Sequence, residues 1–208
     1  MFTIFLVNNR LLEIEWRFMK STKDRILKTA LNLFAQRGFD AVSMRDIAGE
    51  LGITAGALYR HYAGKQDIFQ SILRRMEEFD RKNAVQCSLP QEGYTENPDS
   101  YLDIGHAELM EFTLCMFRHW TENEFASAFR RLLTLEQYRS PEMNALYQQY
   151  FGSGVLHYLE DLFRTNGSKD PETDAYRFYA PFYLLMNQYD TAGRKKKQLI
   201  RQLKRILQ

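Results

Sequence analysis

Ser43-Met-Arg-Asp-Ile-Ala-Gly-Glu-Leu-Gly-Ile-Thr-Ala-Gly-Ala-Leu-Tyr-Arg-His-Tyr-Ala-Gly-Lys65 decides the fold. Ser43 is a good N-cap, and Asp46 three residues on completes something close to a capping box. Ile47, Ala48 and Leu51 then give an i, i+1, i+4 apolar stripe. Gly52 follows as a stop, because glycine takes the left-handed conformation at little cost. Thr54 can cap a second helix whose only large aliphatic is Leu58. A helix this short and this poor in apolar residues is not stable alone. It must be held by its neighbours while presenting a surface of small residues. Such a surface suits entry into the DNA major groove, about 12 Å wide. A purely structural helical hairpin is the alternative.

Around this stretch the chain reads as helical throughout. Its 208 residues suffice for one large domain or two small ones. Only five prolines occur, against 15 Phe and 12 Tyr, and no strand-like alternation persists. The two cysteines, Cys87 and Cys115, do not make a disulfide framework, which fits a reducing, cytoplasmic setting. No apolar run approaches the roughly 18 residues of a membrane span, so no membrane partner is expected. Charge is uneven: residues 19–65 carry eight Lys/Arg against four Asp/Glu, residues 88–193 seven against sixteen, and residues 194–208 seven against none. A basic reader of phosphates joined to an acidic body would look like this.

Taken in order, residues 2–7 are a short apolar run with no basic segment before it, unlike a signal peptide. Residues 22–37 predict a first helix, with Ile26, Ala30, Leu33 and Phe34 on one face, Ser21 or Thr22 as cap and Gly38 as stop. Residues 66 to about 85 predict a helix whose apolar side is Ile68, Phe69, Ile72, Leu73, Met76 and Phe79. Pro90, Gly93 and Pro98 mark a loop over 88–100. Further helices are expected over about 100–119, 122–138, 141–164 (with Gly152 and Gly154 there to kink it or to allow close approach), from Pro171, and after Gly193. The last of these carries Leu199, Ile200, Leu203, Ile206 and Leu207 on one stripe, with a basic wet side.

The stretch 43–65 resembles the helix-turn-helix of the TetR family of bacterial transcription regulators. Ser43, Ile47, Ala48, Leu51, Gly52, Thr54, Gly56, Leu58, Tyr59, His61, Tyr62 and Lys65 carry the resemblance, which is strong over residues 22 to about 70. It implies an all-α chain: an N-terminal three-helix helix-turn-helix domain, then a larger helical ligand-binding and dimerisation domain. The boundaries expected are 1–20 as an N-terminal extension, 21–65 as the DNA-binding domain and 66–208 as the sensing and dimerisation domain. The family's motif begins near the start of the chain, so translation from Met19 is one reading of residues 1–18, and a genuine extra arm is the other.

Roles follow from the resemblance residue by residue. Arg45, Ala55, Gly56 and Ala57 are expected to approach base edges, and Ser43, Thr54, Tyr59, His61, Tyr62 and Lys65 to meet phosphates. A small-molecule effector, apolar or aromatic in character, is expected among Phe112, Met116, His119, Trp120, Tyr147, Phe151, Tyr179 and Tyr183. The last two helices would form a homodimer bundle through Phe182, Leu185, Leu199, Leu203 and Ile206, or else serve as plain core helices.

Nothing in the sequence points to catalysis or a cofactor. The four histidines lack metal-ligand spacing, apart from the weak pair Cys115 and His119, read as a buried thiol beside a satisfied histidine. Gly-Ser-Gly at 152–154 has no catalytic partner around it. The expected function is thus a transcription regulator, a repressor, binding a palindromic site in double-stranded DNA as a homodimer and released by its effector. The alternative is a DNA-binding factor governed by a protein partner with no small-molecule ligand.

Overall fold

The computed structural model describes residues 21–86 and 105–207, and among these there is no strand. The expectations for residues 1–18 and for the loop 88–100 lie outside the described residues. The chain divides into two units, residues 1–75 and 76–208.

The first unit begins with α1 (Thr22–Arg37), capped by Ser21, whose Oγ accepts the Asp24 N–H at 3.1 Å. Gly38, at φ 86°, ends it. α2 (Met44–Leu51) opens on the capping box expected: the Ser43 Oγ accepts the Asp46 N–H at 3.2 Å, and the Asp46 carboxylate accepts the Ser43 N–H at 2.8 Å. Gly52 stops it at φ 69°, a left-handed position costly for any residue with a Cβ. The chain then turns into α3 (Ala55–Tyr59), where Thr54 Oγ1 accepts the Ala57 N–H at 3.1 Å.

α1 packs on α2, and α2 on α3. Ile26, Phe34, Ile47 and Leu58 are fully buried at the centre. Burying each such side chain contributes about 1.5–3 kcal/mol relative to leaving it in water. This is what holds a five-residue helix that has little stability of its own.

α4 (Lys65–Gln86) continues past the division between the units, which falls at Arg75 and Met76. This division lies ten residues beyond the boundary expected between 65 and 66. The reason is packing: Ile68, Phe69 and Ile72 are fully buried, Phe69 meets Phe39 ring to ring at 5.4 Å, and Arg75 pairs with Asp24 at 2.7 Å. The first turns of α4 thus complete the core of the reader.

The second unit is a helical bundle: α5 (His106–Glu122), α6 (Glu124–Glu136), α7 (Pro141–Phe151), α8 (Ser153–Thr165), α9 (Pro171–Tyr189) and α10 (Lys196–Ile206). Asn123 alone separates α5 from α6 and caps α6, its Oδ1 accepting the Ala126 N–H at 2.9 Å. Ser140 and Asp170 cap α7 and α9, each followed by a first-turn proline.

The single helix expected over 141–164 is two helices, broken at Gly152. A Cβ on Gly154 would lie 2.4 Å from the Gln149 carbonyl oxygen, so the backbones approach too closely there for a side chain. α9 packs against α8, α5 and α10, and α10 also against α5. Leu199, Leu203 and Leu207 turn the apolar side of α10 inward, while Lys195, Lys196, Lys197, Arg201, Lys204 and Arg205 stand exposed, the wet side the sequence suggests.

Candidate nucleic-acid interface

The hairpin α2–α3 presents a short, rigid, polar surface. Arg45, Thr54, Gly56, Tyr59 and Arg60 are exposed, with Tyr59 55% exposed, and Ala55 and Ala57 are half-buried beside them. Ser43 is exposed too, but its hydroxyl is engaged with Asp46. The Ser43 hydroxyl also donates to the Asp46 carboxylate, and that bond, followed by the one from the Ser43 N–H, lowers the Asp46 carboxyl below its usual range. The base-edge candidates Arg45, Ala55, Gly56 and Ala57 thus lie at or near the surface. Gly56 has nothing within 4 Å of where a Cβ would stand. No contact inside the fold requires a glycine there.

The phosphate candidates divide. Thr54 and Tyr59 are exposed and His61 is half-buried. Tyr62 is only 6% exposed, and burial, first among its causes, raises its phenol. Lys65 is half-buried, and its Nζ donates to the Phe39 carbonyl at 2.7 Å. Of the expected phosphate contacts, Tyr62 is thus buried and Lys65 is engaged within the fold. Sequence reasoning left Arg60 without a role, and it stands exposed on the same short helix end as Tyr59.

In the second unit, six of the eight ligand candidates form one aromatic cluster. Trp120 meets His119 at 4.8 Å and Phe151 at 4.7 Å, and Phe151 meets Tyr147 at 5.7 Å. Tyr179 donates its hydroxyl to the Phe151 carbonyl at 3.1 Å and its ring lies 6.0 Å from Tyr183. The Tyr147 and Tyr183 hydroxyls meet at 2.5 Å.

Phe112 and Met116 are half-buried on α5, and no ring contact ties Phe112 to the cluster among the described residues. Tyr150, within 5.9 Å of Trp120, belongs to it and was missed, its spacing being no different from that of any core residue. Burial pushes His119 down to about 4, so its imidazole is neutral near pH 7, and burial likewise raises Tyr147 and Tyr179. Among the described residues no group of three His, Cys, Asp or Glu could hold a metal ion.

Cys115 is half-buried on α5, rather than the fully buried residue expected beside His119. The chain's other cysteine, Cys87, lies outside the described residues. Of the dimer candidates, Phe182, Leu185, Leu199 and Leu203 are buried within this one chain, and only Ile206, 49% exposed, is open to a partner. Among the described residues no helix is long and apolar enough to cross a membrane.

A capped hairpin of two short helices, backed by α1 and the start of α4 and presenting its second helix outward, defines a helix-turn-helix DNA-binding domain. Residues 26–72 match the model of the bacterial regulatory proteins of the tetR family. It is similar to the transcriptional repressor KstR2 of Mycolicibacterium smegmatis, 41% identical over 54 residues, which cover 26% of this chain and 26% of that protein. The match thus spans about a quarter of the relative's length.

The fold extends further. A transcriptional regulator of Saccharomonospora viridis, solved with choline, is 24% identical with a TM-score of 0.57, over 87% of this chain and 92% of that one. SmeT of Stenotrophomonas maltophilia, solved with triclosan, is 17% identical with a TM-score of 0.56, over 89% and 90%.

Proposed function

We propose that this protein is a transcriptional repressor that binds a palindromic operator as a homodimer and leaves it when a small apolar or aromatic molecule binds the second unit. The observation that carries the DNA-binding part is the hairpin itself: Arg45, Thr54, Gly56, Tyr59 and Arg60 exposed on capped helices. Arg45 supplies a forked donor suited to a guanine edge, and the small run Ala55-Gly56-Ala57 supplies methyl contacts and close approach. With few polar groups on α3, groove shape carries much of the specificity.

The reading of a sensor rests on the aromatic cluster of α5, α7 and α9. It carries rings, paired hydroxyls and a neutral imidazole, chemistry suited to an uncharged or aromatic compound. Solved proteins of this fold hold small molecules, the aromatic triclosan in one, in keeping with this reading, and the cation choline in another.

For the dimer, the exposed stripe Tyr176, Ala180 and Leu184, at i, i+4 and i+8 on α9, is the face we assign to the second copy. It takes the place of the four candidates already covered within the chain. The test is a gel shift with the DNA upstream of the protein's own gene, repeated with candidate effectors. Specific retardation abolished by a small aromatic compound is the expected result. No preference over random duplex would overturn the DNA-binding reading, and retardation insensitive to every compound would favour a protein partner as the signal.

A further inference from the structure

Lys65 is the first residue of α4, where a cation opposes the positive end of the helix dipole. Its placement there needs another reason, and the structure gives one. The Nζ donates to the Phe39 carbonyl at 2.7 Å and the Asp40 carbonyl at 3.4 Å, and lies 4.4 Å from the centre of the Phe39 ring. Two carbonyls and a ring face occupy a group that has three donors and no acceptor. Phe39 in turn packs its ring on Phe34 of α1 at 5.0 Å and on Phe69 of α4 at 5.4 Å. The segment so held is the loop from Gly38 to Val42, which runs directly into Ser43, the cap of α2.

We infer that Lys65 is a positioning residue for DNA binding. It pins the α1–α2 loop to the start of α4 and so fixes the direction in which α2 sets out, and with it the base-facing Arg45. It does so instead of donating to a phosphate. The inference rests on the DNA-binding reading above and sharpens it: a misaligned hairpin should lose base readout before it loses its attraction for DNA, because attraction is spread over many charges and readout depends on register.

The test uses the full-length protein with Lys65→Met, which keeps the stem over Phe39 and removes the donors, and Lys65→Arg, which restores donors to the carbonyls. Affinity is measured on an operator duplex and a random duplex at about 50 and 200 mM salt, with each preparation's active fraction fixed by stoichiometric titration. For Lys65→Met we expect operator affinity to fall by roughly tenfold or more, random-duplex affinity to fall much less, and the slope of log K against log salt to stay at the wild-type value. Lys65→Arg should recover most of the loss.

A slope lower by about one, with equal loss on both duplexes, would mean that Lys65 contacts a phosphate and would overturn the inference. Operator affinity per active molecule unchanged, with only the melting temperature lowered, would reduce Lys65 to a stabilising residue and overturn it equally. A wild-type protein that binds no duplex better than random would remove the DNA-binding reading, and the pin with it.

Discussion

Gly56 and His119 show how much a single position can carry. Glycine in a helix costs up to about 1 kcal/mol against alanine, and α3 has only five residues over which to absorb that. Nothing in the fold fills the space a Cβ would take. A requirement for the glycine would then come from outside, as a backbone or base surface approaching α3 closely. Gly56→Ala is therefore expected to raise the melting temperature slightly and to weaken operator binding about tenfold or more. A variant that gains stability at unchanged affinity would show that no close approach occurs there.

His119 tests burial rather than contact. Its folded pKa, about 4, lies below the unfolded value near 6.5, so the unfolded chain binds the proton more readily. Stability should therefore fall as pH drops from 6.5 towards 4, by on the order of 3 kcal/mol in all. Denaturant titrations of wild type and His119→Gln across that window should diverge, with the variant losing less. Parallel curves would mean that His119 is not the group responsible.

At the level of elements, the sequence was most legible where local chemistry decides. Ser21, Ser43, Thr54, Ser140 and Asp170 all cap as their residue types suggest, and Gly38 and Gly52 stop helices through positive φ. Gly152 announced an irregularity but not its size, which depends on how α8 lies against α9. The exposure of Arg45, Thr54, Gly56 and Tyr59 on the hairpin follows from its short polar and small-residue pattern. The hydrogen bond of Lys65 was not legible there, because the carbonyl that takes its ammonium lies 26 residues earlier.

The ion pair of Arg130 was equally invisible, since its partner is sixty residues away. Nε donates to the Trp120 carbonyl at 3.2 Å and Nη2 to Asp190 at 2.7 Å, tying α6 to the ends of α5 and α9. The guanidinium is buried and Asp190 is partly exposed. Removing the carboxylate strands a buried charge, whereas removing the guanidinium does not. Asp190→Ala should thus cost about 3 kcal/mol and Arg130→Met clearly less, as read by urea unfolding. Equal costs would mean that the buried guanidinium is well solvated without Asp190.

At the scale of the whole molecule the question is which apolar face belongs to the core and which to a second copy. Periodicity marks a stripe as apolar and says nothing about what covers it. Leu199 and Leu203 form such a stripe on α10 and are covered by the chain itself, with Leu203 0% exposed. Leu184 forms another with Tyr176 on α9, at 58% and 55% exposure, and stays uncovered among the described residues.

The two stripes should therefore respond differently to the same change. Leu203→Asp places a charge in the core, where an unpaired charge costs several kcal/mol, enough to unfold a domain of ordinary stability. Leu184→Asp costs the monomer little, because an aspartate there stays in water until a partner arrives. Across a two-fold axis each such charge would be buried in both copies, so association should fail. Sedimentation velocity with circular dichroism separates the cases: Leu184→Asp should run as a folded monomer and Leu203→Asp should lose helical signal. Weak operator binding by the folded monomer would follow, since one hairpin then holds one half-site of a palindrome. A Leu184→Asp protein that remains a dimer would take this stripe out of the interface and leave the second copy to be sought on another face.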